Sequence, residues 1–143
     1  MNSPTPAVSL KPAAMPVPLS SSLALCARVL IAALFVFSGV SKLQDPGGTL
    51  AYIASVGLPY PTLGLVLAIV TEVIGGAALI LGYQTRWVAA ALAAFSVAAA
   101  VAFHYQFGDQ NQLIHFLKNV AIAGGLLQVA AFGAGRFSLD ARR

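Results

Sequence analysis

The chain has 143 residues, 59% of them hydrophobic and 8% charged, about a third of the charged share of a soluble domain. Eight Lys+Arg and four Asp+Glu make 12 formal charges. With a mean hydropathy of +0.85, that is too little ionisable surface to keep the chain dispersed in water, which excludes a soluble globular domain. The solvent is lipid, and at ~20 apolar residues per spanning helix the length holds about four or five spans in one compact domain. Apolar content excludes disorder. Cys26 is the lone cysteine, which excludes a disulfide scaffold and a CxxC pair and leaves its thiol inert. The net charge of +4 comes from basic residues scattered singly, so the partner is the lipid bilayer and not nucleic acid.

Residues 1–22 carry prolines at 4, 6, 12, 16 and 18 and read as a flexible, Pro-rich tail. The apolar run that follows, 23–43, lacks an A-x-A cleavage site and is an uncleaved first span. The next connection, Gln44 to Pro61, is punctuated by proline at both ends, and Thr49 to Val56 can form a short amphipathic helix at the interface. Further spans follow over 62–82, 87–103 and 113–132, joined by a tight Gly82–Arg86 turn and by a polar loop, His104–Gln112, without Lys or Arg. The membrane domain therefore covers 23–135 and a basic tail 136–143. The fold class is all-α: a polytopic four-transmembrane-helix bundle. The ten-residue alternating segments of a β-barrel are absent.

Lys11, Arg28, Arg86, Arg136, Arg142 and Arg143 collect on the side shared by both termini and the second loop, which places both termini in the cytoplasm. Tyr60, Tyr83, Trp87, Tyr105 and Phe107 sit where spans end, as interfacial aromatics do. A faint repeat is visible. Arg28 precedes Phe37-Ser38 as Arg86 precedes Phe95-Ser96, and the second and fourth spans each hold a Gly-Gly pair. Two parallel hairpins about an axis along the membrane normal would produce it; so would chance in so Ala-rich a chain.

An ionisable residue inside a span costs roughly 2.5–3.5 kcal/mol near the centre, so it needs a partner or a task. Glu72 lies about 16 Å below the Tyr60–Pro61 boundary at 1.5 Å per residue, near the bilayer midplane. Gly75 and Gly76 share its face and let a neighbouring backbone approach, so the carboxylate is expected to be buried. His115, Lys118 and Asn119 form a polar stripe on the fourth span, and Ser38, Ser41 and Lys42 a similar one on the first. By depth, Arg28 and Lys118 each lie within reach of Glu72 and are its expected partners. The seven residues Arg28, Ser38, Lys42, Glu72, His115, Lys118 and Asn119 then make an outward-facing, electropositive intramembrane site able to hold a quinone head, a proton or a small anion. The alternative is that these groups only satisfy one another and fix helix register. Haem is disfavoured, because His104 and His115 both fall close to the outer boundary. No metal-ligand pattern or soluble-cofactor motif occurs.

Several of these pieces together resemble the DoxX family of small bacterial four-helix inner-membrane proteins. They are Arg28 with Leu34-Phe35-Val36-Phe37-Ser38-Gly39-Val40-Ser41-Lys42-Leu43, Glu72-Val73-Ile74-Gly75-Gly76 with Leu81-Gly82 and Arg86, and Phe116-Leu117-Lys118-Asn119 with Gly124-Gly125 and the closing Gly133 to Asp140. The resemblance implies an inner-membrane location and a redox role, since the family takes its name from a subunit linked to a quinol oxidase and to thiosulfate:quinone oxidoreduction. It makes an accessory or quinone-interacting subunit, with partner redox subunits or as a homodimer, the leading reading. A non-catalytic structural or assembly protein and a small-anion or solute transporter compete with it. The Pro-rich tail departs from the family pattern.

Overall fold

The computed structural model describes residues 16–143, all-α among them: α1 Val17–Gln44, α2 Pro46–Ser55, α3 Pro61–Leu81, α4 Thr85–Phe103, α5 Gln110–Phe132, and a closing 3-10 turn Asp140–Arg142. Four of these helices, all but α2, are long and apolar enough to cross a membrane. The tail expected over 1–22 lies outside the described residues up to 15. From Val17 onward the chain is already helical, because Pro16 and the proline that follows occupy the cap and first turn, where no amide donor is needed.

Helix ends follow local chemistry. Asp45 closes α1 and opens α2 with its carboxylate, which accepts from Gly48 N at 2.9 Å. Asp109 opens α5 by accepting from Asn111 N and Gln112 N. Between α3 and α4, Gly82 adopts φ +67 and its N–H returns to the last turn of α3, a left-handed close that a side chain would strain.

α1 packs closely on α3 and α4 on α5, while α3 touches α4 less and α1 barely touches α5. Glycine permits the first pairing. A Cβ on Gly39 would lie 2.6 Å from Val73 Cγ2, and one on Gly76 would lie 2.8 Å from Val36 Cγ2, so each glycine makes room for a valine of the other helix and the pair packs closely. Residue 39 facing 73 and 36 facing 76 makes the pair antiparallel.

The core is Ala32, Phe35, Leu79, Ala89, Leu92, Ala93, Ala123 and Leu126. All of these lie in the half of the bundle where α1 begins and α5 ends, called here the terminal end. Towards the opposite end Ile53, Leu65, Ala68 and Ala100 are also buried, whereas no residue of α5 from Gln110 to Val120 is.

The segment after α5, expected as a basic tail over 136–143, docks on the α3–α4 turn. Leu139 N and Asp140 N donate to Leu81 O and Gly82 O. The Asp140 carboxylate accepts from Gln84 N and Thr85 N, both at 2.8 Å. A carboxylate at a helix start satisfies orphan amides and meets the positive end of the helix dipole, so Asp140 caps α4 from 55 residues away.

Candidate functional site

Glu72 is 5% exposed, in the middle of α3. Its partner is Lys42, whose Nζ donates to both carboxylate oxygens at 2.9 Å. Ser38 Oγ donates to Oε1 at 3.1 Å and accepts from Lys42 Nζ at 2.8 Å. Ser38 and Lys42 lie one turn apart on the same face of α1, and the glycine contact at Gly39 brings that face against Glu72. The result is a closed triangle of acid, ammonium and hydroxyl. The Lys42 side chain is 23% exposed against 6% for Glu72, so the cluster opens on its lysine side.

The expected pairing of Glu72 with Arg28 or Lys118 is therefore corrected. Arg28 is 0% exposed but belongs to the terminal end, where Nη1 donates to Leu79 O at 3.2 Å and Nη2 to Phe137 O at 2.5 Å. Its guanidinium fastens the post-α5 segment to α1 and α3. Axial rise measures depth only, and Lys42 wins because its azimuth on α1 faces α3. Ser41, expected in the same stripe, turns back to Phe37 O of its own helix.

Lys118 stays exposed and makes no hydrogen bond or ion pair with another described residue. Its height can be read from the contact between Gly125 and Ile31 Cδ1, 3.4 Å from a Cβ placed on the glycine. Seven residues along α1 from Ile31 is Ser38, and seven back along α5 from Gly125 is Lys118, so the two lie at one level. That level is also Glu72's. Asn119 donates to His115 O within α5. His115 stacks on His104, ring centroids 5.1 Å apart, and His104 Nδ1 hydrogen-bonds Gln112 Oε1 at 2.8 Å. The seven expected residues thus separate into three groups: the Ser38–Lys42–Glu72 triangle, the His115–Lys118–Asn119 stripe on α5, and Arg28 apart from both.

The first group bridges α1 and α3, and the second lies on α5, which hardly meets α1. Chemically, the triangle offers an ammonium donor, a carboxylate acceptor and a hydroxyl that can serve as either. That set suits a neutral oxygen-bearing head better than a metal, and no group of three metal-ligating side chains occurs among the described residues. A separate groove of about 820 Å³ along α4 and α5 is lined by apolar residues such as Ala94, Val97 and Leu127 and by none of the expected site residues. Sequence reasoning missed Asp140 as a cap and the role of Arg28; a lone acid just beyond the last span was the available signal.

The DoxX family model matches residues 23–105. The chain is 37% identical over 125 residues to the inner membrane protein YphA of Escherichia coli (strain K12), covering 84% of this chain and 89% of that one. It is also 37% identical over 116 residues to the inner membrane protein YqjF of the same organism, covering 81% and 88%. No solved structure is significantly similar to it.

Proposed function

Since this chain belongs to the DoxX family and is a multi-pass inner-membrane protein, we propose that it is an accessory, quinone-interacting subunit of a membrane redox system. In this reading the Ser38–Lys42–Glu72 triangle receives the quinone head. One observation carries it: a buried carboxylate is held by an ammonium that is itself partly open, on α1, which hardly meets α5. A quinone carbonyl only accepts hydrogen bonds, and Lys42 can offer it the N–H now given to Ser38. A quinol hydroxyl donates, and Glu72 is the acceptor beside it. His115, Lys118 and Asn119 line the approach from the other helix pair, on the side proposed to be periplasmic.

A structural or assembly role is favoured by a different observation: both Glu72 oxygens already have partners. In that reading the pair pins the register of α1 on α3 and takes no ligand. Organic extraction of protein purified in a mild detergent separates the two. Bound quinone in the wild type, lost in Glu72→Gln and reduced in Lys118→Met at unchanged thermal stability, supports the quinone site. Quinone-free wild-type protein, with normal cell growth on Glu72→Gln, supports the pin.

A further inference from the structure

At the terminal end, a pocket of about 410 Å³ opens between the start of α4 and the segment after α5, lined by residues that include Thr85, Arg86, Trp87, Phe132, Gly133 and Ser138. Volume of this size equals roughly a dozen waters at ~30 Å³ each, enough for a phosphate group with its ester oxygens and hydration. Trp87 and Phe132 are 78% and 81% exposed, and they end their helices where an aromatic belt meets lipid headgroups.

The charge at this end is unbalanced. Arg28, Arg86, Arg136, Arg142 and Arg143 stand at this end against one side-chain carboxylate, Asp140, which lines the pocket and is already engaged by the amides of Gln84 and Thr85. Arg143 is also spoken for in part, stacked 4.7 Å from the centre of the Tyr83 ring. Arg86 is exposed, lines the pocket and makes no hydrogen bond or ion pair with another described residue. Its Nε lies 3.5 Å from where a Cβ on Gly133 would sit, so the guanidinium stands over the glycine-lined floor of the pocket. A planar fork of N–H donors with no protein acceptor, beside an indole N–H and an aromatic wall facing hydrocarbon, matches a phosphodiester that continues into acyl chains.

We propose that this pocket binds the headgroup phosphate of an anionic phospholipid, with Arg86 as its anion-recognising residue and Trp87 and Phe132 flanking the acyl chains. The inference is independent of the quinone reading, because the pocket shares no lining residue with the Ser38–Lys42–Glu72 triangle or the α5 stripe.

The test is native mass spectrometry of the full chain released from nanodiscs that contain equal phosphatidylglycerol and phosphatidylcholine. The wild type is expected to retain phosphatidylglycerol in about fivefold excess, the ratio that corresponds to the ~1 kcal/mol one arginine contributes at an anionic surface. Arg86→Gln abolishes that excess, Arg86→Lys keeps part of it, and Arg142→Gln, which removes the same charge outside the pocket, leaves it unchanged. Equal retention of the two lipids by the wild type, or equal loss in Arg86→Gln and Arg142→Gln, overturns the proposal. A second arm adds soluble glycerol phosphate to the detergent-solubilised protein. Displacement of bound lipid at comparable concentration would mark a free-anion site and overturn the lipid assignment; no displacement supports it.

Discussion

Lys42 Nζ lies 2.9 Å from each carboxylate oxygen of Glu72, and the two are unequally buried. The lysine side chain is 23% exposed and the glutamate's 6%. Loss of either partner orphans the other, but a freed lysine can carry its ammonium along the helix towards water, whereas a freed glutamate stays inside.

The consequence is an asymmetry. Lys42→Met is expected to destabilise the protein more than Glu72→Gln, the former approaching the ~3–5 kcal/mol typical of breaking a buried pair. The double variant should recover much of that loss. Thermal unfolding of the four proteins as a double-mutant cycle measures the coupling; additive effects of the two substitutions would show that the pair is not coupled.

The close approach of α1 to α3 makes Gly39 intolerant of any side chain. Gly39→Ala places a Cβ 2.6 Å from Val73 Cγ2 and 3.1 Å from Glu72 Cβ, overpacking of a kind that costs about 1–3 kcal/mol. Gly124 has open space at the same position, so Gly124→Ala should be neutral or gain up to ~1 kcal/mol of helix propensity. Melting temperatures of both variants check the contrast.

Asp140 links stability to pH. Hydrogen bonding by Thr85 and by the Gln84 amide, outweighing burial, holds its carboxyl below the usual carboxylate range, with Arg143 adding to the effect. A depressed folded-state pKa means the contribution is present above the unfolded value of ~3.9 and is lost as pH falls through the folded value. Asp140→Ala should cost ~1 kcal/mol at pH 7, as a lost helix cap does, and its difference from wild type should shrink below pH 4. Unfolding in detergent across pH 3 to 7 reads this directly; a difference that stays constant over that range would show that the carboxylate's charge contributes nothing.

Charge asymmetry predicts topology. Reporter fusions after Gln44 and Gln110 are expected to report the periplasm and a fusion after Gln84 the cytoplasm, because the cationic residues gather at the terminal end. The reverse pattern would invert the orientation of both proposed sites.

Spans were legible because long apolar runs carry their own signal, and α2 only in part: the expected helix over Thr49 to Val56 starts instead at Pro46, because Asp45 caps it and draws Gly47 and Gly48 into the first turn. The burial of Glu72 was legible for the same reason, since a charge at mid-span has nowhere else to go. Its partner was not. Depth follows from counting along one helix, whereas azimuth depends on which helices touch, and that is decided by Gly39 packing on Val73 and Gly76 on Val36 across α1 and α3. Lys42 had been placed in the right stripe but not against the right neighbour. The role of Arg28 and the docking of the last residues depend on carbonyl acceptors and on a cap 55 residues distant, and neither leaves a hydropathy pattern. The start of α1 at Val17 was obscured because prolines at a first turn look the same as prolines in a tail.

The most direct measurement is photo-crosslinking of the full chain in lipid nanodiscs with a quinone analogue whose head carries the reactive group, followed by mass-spectrometric mapping. A quinone head at the triangle predicts adducts concentrated on the α1 segment around Ser38 to Lys42, around Glu72 on α3 and on His115 to Asn119 of α5, suppressed by excess unlabelled quinone and weakened in Glu72→Gln. Adducts spread over exposed apolar residues such as Leu30, Leu63 and Ile74, unaffected by competitor and by the substitution, would contradict it.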